Sequence, residues 1–333
     1  MKIQTRLQNI KNYKIYLQVE EALHEFLQKK GYFRVNLPVL SPALIPESYL
    51  DVFATEFHFL NNKEKFYLIP APELFLKRLL VAGLGNCYSL SKCFRNSELP
   101  SSLHSPEFTM LEFYRLGANY MDVSDELLEL LRFIAQKLDR RDEIIYQGKK
   151  ISFTKWEKLS VTEAFKKFSQ ISQNEIFDAK IFLKKAKTKG YRVDGFSYQD
   201  IFSQIITQEI EPHLGKNGYA TLLYDYPSQM SALAKLKPDG KIAERVEFYI
   251  DGIEIGGCCT ELTDCKEQES RYEREIEAKK KLGQTVHTID KGLISELKYG
   301  LADCTGSGVG FDRLAMIFAN VKSIKELQLI NIL

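Results

Sequence analysis

An α+β fold with an antiparallel sheet is predicted by the order in which helix and strand patterns follow one another. Apolar residues recur at helical spacing over about 12–30, and helices are also predicted near 73–82 and 121–138. Strong strand patterns cover 107–116 and return from residue 219 onward. Because helices and strands come in mixed order rather than as repeated strand–helix–strand units, the α+β class is favoured.

The composition is typical of a globular protein. The chain has 333 residues, with 46 Lys+Arg against 44 Asp+Glu and 44% hydrophobic residues, so it can bury a large core and is not mainly disordered. No apolar run approaches the roughly 20 residues of a membrane span. The N-terminus leads into no apolar segment of a secretory signal. We therefore expect a cytoplasmic protein without a membrane partner, and the net charge of +2 argues against a surface dominated by nucleic-acid binding.

The first helix is predicted by five apolar residues at helical spacing, and Gly31 closes it. These residues are Ile15, Val19, Leu23, Phe26 and Leu27. A strand over 32–38 then ends at Pro38. Residues 66–94 are predicted to form a short strand, a helix and a second strand.

Residues 139–220 differ from the flanking regions, and we expect an inserted or connecting helical subdomain within a single domain over 1–333. Two apolar stretches flank residues 147–150, which predicts a hairpin. The later predicted elements are helices over 161–169, 177–189, 198–211 and 264–282 and a glycine-rich strand–helix unit over 305–320.

The cysteine pattern does not indicate a zinc site. The six residues form no CxxC pair, and the five histidines make no ligand cluster beside them. They are Cys87, Cys93, Cys258, Cys259, Cys265 and Cys304. We expect buried, reduced thiols that pack as small hydrophobic side chains.

Residues 244–255 carry a strong signal for a two-residue hairpin, because Asp-Gly at 251–252 stands between two alternating runs. Counting outward from this turn places Tyr249 opposite Glu254. Glu247, Tyr249 and Glu254 then share one face, with the two carboxylates roughly 7–8 Å apart at the backbone. Such a pair is suited to a hard cation such as Mg²⁺. The alternative is two solvated acids on an exposed strand.

A polar loop that contains His104 is flanked by two predicted strands. The second strand places Phe108, Glu112 and Tyr114 on one face, a combination that suits a planar base and a cationic group. Arg95, on the other side of the loop, is a planar and permanently charged donor of the kind that binds phosphate or carboxylate. The alternative is an amphipathic hairpin with an exposed polar face.

Glycines alternate with other residues over 306–310, and Arg313 lies in the first turn of the helix predicted to follow. Alternating glycines permit a ligand or another strand to approach closely. The spacing is neither that of a dinucleotide-binding fingerprint nor that of a P-loop, which disfavours both classes.

Together, these segments resemble the catalytic core of class II aminoacyl-tRNA synthetases. Residues 31–38 resemble motif 1, the dimer-interface element, residues 94–112 resemble motif 2, and residues 306–313 resemble motif 3. The resemblance extends from about residue 12 to 325. It implies an antiparallel sheet flanked by helices, ATP and Mg²⁺ as cofactors, and a homodimer.

The subgroup most similar to this sequence is lysyl-tRNA synthetase, through the segments 71–79, 226–235 and 261–264. Because the catalytic pattern begins by residue 12, we expect no N-terminal OB anticodon-binding domain.

That architecture is similar to the elongation factor P lysine ligases, synthetase paralogues that transfer a lysine-type residue to a protein lysine. The segments 77–83 and 211–216 and Asp303-Cys304 support this branch. The resemblance implies ATP-dependent activation of lysine or a lysine isomer. Two alternatives stay open: a truncated synthetase that charges tRNA or another carrier, and a non-catalytic regulatory paralogue.

The resemblance also implies roles toward ATP. Arg95 would contact the amino-acid carboxylate and the α-phosphate, and Phe108 would stack on adenine. Arg313 would pack on the other side of adenine or reach the phosphates, and His104 would reach the terminal phosphate. The loop after Arg95 is one residue longer than the family pattern, which makes Glu98 the candidate for the acidic position.

Further implied roles concern the metal and the amino acid. Glu247 and Glu254 would hold Mg²⁺, and Glu73 would receive the α-ammonium group. Residues implied to meet the side-chain ammonium or line its pocket are Glu112, Tyr114, Glu261 and Gly308. Departures from the family pattern at Gly257 and Cys259, together with Gly308, leave open whether the amino acid is α-lysine, a β-lysine isomer or another cationic relative.

Overall fold

The computed structural model describes residues 3–97 and 99–332. Its α-helices are α1 Ile10–Lys29, α2 Glu73–Val81, α3 Tyr120–Lys137, α4 Val161–Ala164, α5 Gln173–Phe177, α6 Ala179–Thr188, α7 Tyr198–Ile205, α8 Cys265–Lys281, α9 Lys291–Leu297 and α10 Phe311–Phe318. Its strands are β1 Ile3–Thr5, β2 Phe33–Arg34, β3 Leu40–Ser41, β4 Ala54–Phe59, β5 Asn62–Leu68, β6 Cys87–Phe94, β7 Glu107–Leu116, β8 Glu143–Tyr146, β9 Lys149–Ser160, β10 Tyr219–Pro227, β11 Ile242–Ile250, β12 Ile253–Thr260, β13 Cys304–Gly310 and β14 Ile330–Ile332.

The chain divides into two compact units. The first unit comprises Met1–Gly117 and Thr263–Leu333, and the second unit comprises Ala118–Leu262.

The first unit contains strands in the order β2-β6-β7-β13, together with the small sheets β1-β14 and β3-β5-β4. The central strands β6 and β7 pair antiparallel, as do β7 and β13, whereas β2 is parallel to β6. Helix α10 packs against β7, and α1 packs against α10, where the Tyr16 ring meets the edge of the Phe311 ring. In this register Glu112 lies opposite Ser89 on one side and Gly308 on the other.

The sheet of the second unit runs in the order β12-β11-β10-β9-β8. All neighbours pair antiparallel except β9 and β10, which are parallel. Helix α3 packs against β9, β11 and β12. The short helices α4 to α7 pack on β10 and β11 around an apolar core, in which Phe165 and Phe182 lie fully buried against Phe202.

The predicted α+β class, with an antiparallel-dominated sheet flanked by helices, is confirmed. The hairpin around residues 147–150 is confirmed as well, because Gln147 and Gly148 both adopt positive φ, at 48° and 80°, between β8 and β9. The strand predicted over 32–38 is too long: β2 covers only Phe33–Arg34, although the Val35 N–H still donates to the Tyr88 carbonyl of β6 at 2.9 Å. The single domain with an inserted segment over 139–220 stays a prediction. Among the described residues, no helix combines the length and the apolar character that crossing a membrane requires.

Candidate functional site

The first unit brings Arg95 and Phe108 together at the end of β6 and β7 where a loop connects the two strands. The backbone N–H of Arg95 donates to the carbonyl of Pro106 at 2.9 Å, which closes the loop between the two strands. The guanidinium lies over the Phe108 ring, 5.0 Å from its centroid. A cation–aromatic contact of this kind holds a planar donor in one orientation.

The same loop is tied to the helix that carries Arg313. The Arg313 guanidinium donates to the carbonyl of Leu103 at 3.2 Å and lies 2.8 Å from Nε2 of His104. Nδ1 of His104 lies 3.0 Å from the Ser101 hydroxyl. Since a guanidinium only donates, Nε2 of His104 accepts, which places the imidazole proton on Nδ1. Arg313 and His104, which were predicted separately, are therefore hydrogen-bonded to each other.

Asp312 positions this helix and was not singled out from the sequence. Its carboxylate accepts a 2.7 Å hydrogen bond from the backbone N–H of Thr109 on β7. Burial raises the pKa of Asp312, although the bond from Thr109 opposes that shift. The carboxyl thus fixes the start of α10, and with it Arg313, on the strand that carries Phe108. The predicted role of Glu98 falls on a position outside the described residues.

Glu112 and Tyr114 lie together on the buried face of β7. The Tyr114 hydroxyl donates to Oε1 of Glu112 at 2.9 Å, and both side chains are buried. Beside them, a Cβ added to Gly308 would meet only the Met110 sulfur, at 3.8 Å, so packing does not demand glycine there. A buried carboxylate at this position is suited to a cationic group.

Glu73 begins α2, and its carboxylate is engaged by a lysine that the sequence analysis did not single out. Nζ of Lys77, one helical turn later, lies 2.6 Å from Oε1 of Glu73, and Lys77 is only 2% exposed. Glu73 therefore already has a buried cationic partner.

The sequence analysis also missed the segment 47–51, defined here as the clamp loop. Lys279 of α8 is fully buried and donates to the carbonyls of Glu47, at 3.0 Å, and Leu50. At the other end, the Asp51 carbonyl accepts from the backbone N–H of Asn96 at 3.0 Å. The loop thus joins α8 to the residue that follows Arg95. No pattern distinguished Lys279 from its neighbours in a helix that ends in three consecutive lysines.

In the second unit, Glu247 is held by three donors. The hydroxyls of Tyr226 and Tyr249 donate to Oε2 at 2.5 and 2.7 Å, and Arg245 donates to Oε1 at 2.8 Å. Burial raises the pKa of both phenols, and the charge of Glu247 adds to that shift. The phenols therefore remain protonated donors that orient the carboxylate.

The predicted hairpin forms, and Tyr249 lies opposite Glu254 as expected. The prediction that the pairing continues without interruption beyond that pair is wrong. A bulge places Phe248 opposite Gly256 and leaves Ile255 as the extra residue. A Cβ at Gly257 would come within 2.7 Å of the Val246 carbonyl oxygen. Glycine therefore permits this close approach, and a residue with a Cβ would not fit the same backbone.

Glu247 and Glu254 are the two carboxylates of this unit that could hold a magnesium ion. Tyr249, whose hydroxyl donates to Glu247 at 2.7 Å, lies opposite Glu254 on the neighbouring strand. In the described part of the chain, no group of three or more His, Cys, Asp or Glu side chains could hold a metal by itself. Mg²⁺ commonly uses one or two carboxylates together with phosphate oxygens.

Glu261 is buried in the second unit at 2% exposure, where the Cys259 thiol lies 3.8 Å from its Oε1. All six cysteines are free thiols. The expectation of buried thiols holds for Cys87, Cys93, Cys258 and Cys304, while Cys259 and Cys265 are half-buried. Burial raises the pKa of Cys87 to about 12, so this thiol stays protonated.

Comparison with known proteins agrees with the sequence resemblance. The family described as tRNA synthetases class II (D, K and N) matches residues 1–330. A lysine–tRNA ligase from Carboxydothermus hydrogenoformans is 33% identical over 311 residues, which cover 92% of this chain and 62% of that protein. A lysine–tRNA ligase from Campylobacter jejuni is 32% identical over 324 residues, covering 95% and 62%. One from Buchnera aphidicola is 35% identical over 310 residues, covering 92% and 60%.

The chain thus spans about 60% of the length of the curated relatives it matches. The family match, in contrast, extends over nearly the whole chain. This protein therefore belongs to the class II tRNA synthetases of the D, K and N group.

Proposed function

We propose that this chain activates lysine, or a lysine isomer, with ATP and transfers it to a lysine of elongation factor P. In the first step a carboxylate oxygen of the amino acid attacks the α-phosphorus of ATP, and pyrophosphate leaves with the electron pair of the broken bond. In the second step the acceptor amine attacks the activated carbonyl, and AMP leaves. The observation that carries the proposal is that Arg95 contacts Phe108, and Arg313 contacts His104, around the loop between β6 and β7.

The chemistry needs positioning and charge neutralisation rather than a side-chain nucleophile. Arg95 binds the amino-acid carboxylate and the α-phosphate, and it neutralises the negative charge that builds up there. Phe108 stacks on adenine, and Arg313 and His104 hold the outer phosphates. These assignments follow the resemblance, and the geometry of the loop supports them.

The amino-acid pocket is proposed from its buried acids. Within the first unit, Glu112 and Tyr114 meet the side-chain ammonium, Gly308 leaves room beside them, and Glu73 faces the α-ammonium. The burial of Glu112 supports a cationic side chain as the specificity element.

Glu247 and Glu254 are proposed to hold Mg²⁺, which would neutralise charge on the phosphates. Replacing Glu254 with glutamine removes one anionic ligand, so we expect the Mg²⁺ concentration for half-maximal activity to rise several-fold. The measurement is an Mg²⁺ titration of amino-acid-dependent ATP–pyrophosphate exchange. The control is Asp194→Asn, which changes an exposed acid of the same unit. An unaltered titration for Glu254→Gln would count against the metal assignment.

Elongation factor P is proposed as acceptor on the resemblance of the segments 77–83, 211–216 and 303–304 to its ligases. The second candidate is tRNA, favoured by the names of the curated relatives. Incubation with ATP, labelled lysine and both acceptors separates the two. We expect alkali-stable label on the factor, lost when its loop-tip lysine is replaced by arginine. Label on tRNA alone would refute the protein acceptor, and release of no AMP would indicate a non-catalytic paralogue.

A homodimer and a cytoplasmic location are also proposed. Phe33, in the segment that resembles motif 1, is 60% exposed on the two-residue strand β2, which supports a second copy as its partner. Light scattering tests the dimer, with twice the chain mass expected. The six free thiols support a reducing compartment.

A further inference from the structure

The backbone around Arg95 is held from two sides, and Asp51 of the clamp loop supplies one of them. The N–H of Arg95 itself donates to the Pro106 carbonyl at 2.9 Å, across the loop between β6 and β7. The N–H of the next residue, Asn96, donates to the Asp51 carbonyl at 3.0 Å. Arg95 therefore lies between two backbone hydrogen bonds, each of which leads to a different segment of the chain.

The Asp51 side chain adds three further contacts. Its Oδ2 accepts hydrogen bonds from Nδ2 of Asn96 and from the Ser97 hydroxyl, both at 3.3 Å. Its Oδ1 accepts from the backbone N–H of Thr285 at 3.0 Å, in the segment that follows α8. Asn96 is thus bound to Asp51 through both its backbone and its side chain, and the carboxylate joins the start of the loop after β6 to residue 285.

These hydrogen bonds favour the ionised form of the carboxyl group. Burial acts to raise the pKa of Asp51, but the hydrogen bonds it accepts, chiefly from Thr285 and Val52, outweigh burial and hold the pKa below its ordinary value. Asp51 is therefore ionised at neutral pH. An ionised carboxylate only accepts hydrogen bonds, so it matches the donors of Asn96, Ser97 and Thr285.

The role proposed for Arg95 depends on its orientation, because a donor aimed at developing charge is effective only when it is preorganised. A displacement of a reacting or assisting group by about 1 Å can cost about 10²-fold in rate. We propose that the Asp51 carboxylate is a positioning residue for adenylate formation, which acts through Asn96 and Ser97 to hold Arg95 in its orientation on Phe108. The inference rests on the proposed amino-acid activation and adds to it a residue that contacts no substrate.

The first test measures the rate of adenylate formation in a single turnover with saturating lysine and ATP. For Asp51→Ala we expect this rate to fall about 10- to 100-fold, as for a misplaced catalytic group. The KM values for lysine and ATP should change by less than about threefold, because the loss falls on the transition state. Asp51→Asn retains an acceptor for the Thr285 N–H and should lose less. The matched control is Glu64→Ala, an exposed acid of β5 in the same unit, with no change expected.

A double-mutant cycle with Arg95 distinguishes positioning from a general effect on the fold. If Asp51 acts through Arg95, its removal has no further effect once Arg95 is alanine. Arg95→Ala and the double variant Asp51→Ala/Arg95→Ala should therefore form adenylate at rates within about twofold of each other. Each variant is assayed at a temperature at which circular dichroism shows it folded, and Asp51→Asn replaces Asp51→Ala in the cycle if the latter does not fold. Independent, multiplying losses would overturn the proposal, as would an unchanged rate in Asp51→Ala.

Amide hydrogen–deuterium exchange tests the same contact without a reaction. In Asp51→Ala the N–H groups of Arg95 and Asn96 should exchange about 10- to 100-fold faster than in wild type, the effect expected when hydrogen bonds to a charged group are lost. The N–H of Leu111, in the middle of β7, should keep its wild-type rate. Unchanged protection at Arg95 and Asn96, or equally faster deuterium uptake at all three positions, would overturn the proposal. If the wild type activates no lysine isomer, the proposed function fails, and deuterium uptake still decides whether Asp51 holds Arg95.

Discussion

Replacing Arg95 with alanine is expected to reduce lysine-dependent ATP–pyrophosphate exchange by about 10²- to 10³-fold, the usual loss when a preorganised donor to a developing negative charge is removed. The guanidinium is held by the Phe108 face at 5.0 Å and by a loop closed through its own backbone N–H. Its orientation therefore exists before the substrate binds. The loss should appear mainly in the rate of adenylate formation, measured in a single turnover, and circular dichroism should show an intact fold.

Two further variants sharpen this prediction. Arg95→Lys retains the positive charge but not the planar fork, so we expect it to recover only part of the activity. Arg274→Ala removes an exposed arginine that pairs with Glu267 at 3.3 Å, and should leave exchange unchanged. If Arg95→Ala exchanged pyrophosphate at the wild-type rate, the role assigned to this residue would be refuted.

Replacing Lys279 with alanine is expected to lower the free energy of unfolding by about 2–5 kcal/mol, because two buried carbonyls lose their donor and a cavity remains. Lys279 is fully buried, and its ammonium group donates to Glu47 and Leu50 of the clamp loop. Burial lowers the pKa of Lys279, while the charges of Asp51, Glu47 and Glu275 oppose that shift. Chemical denaturation monitored by circular dichroism measures the change.

The neighbouring lysine provides the matched control. Lys280 is exposed and pairs with the exposed Glu277 at 2.6 Å, so Lys280→Ala should change stability by less than about 1 kcal/mol. Equal effects of the two substitutions would mean that the clamp loop is not held by Lys279.

Much of the fold could be predicted because local patterns and long-range packing agree. The alternation over 107–116 corresponds to β7, and the apolar spacing after residue 12 corresponds to α1. The Asp-Gly turn placed Tyr249 opposite Glu254 because a two-residue hairpin fixes the register next to it. The residues of the candidate site that lie on these elements, such as Glu112 and Tyr114, could be placed on one face for the same reason.

The other features depend on contacts between distant parts of the chain. Strand alternation does not encode the bulge that leaves Ile255 unpaired between Glu254 and Gly256. The clamp loop depends on Lys279, more than 200 residues after the carbonyls it binds. The contact between Lys77 and Glu73 could be predicted from the sequence, since residues four apart on a helix are neighbours. The burial of Lys77 could not.

The measurement that tests the account most directly is ATP–pyrophosphate exchange by the purified chain with lysine isomers and with no acceptor present. We expect exchange that depends on a lysine isomer and on ATP, and that falls about 10²- to 10³-fold in Arg95→Ala. If the folded chain shows no exchange with any lysine isomer, that result would contradict the proposed activation of a lysine-type amino acid.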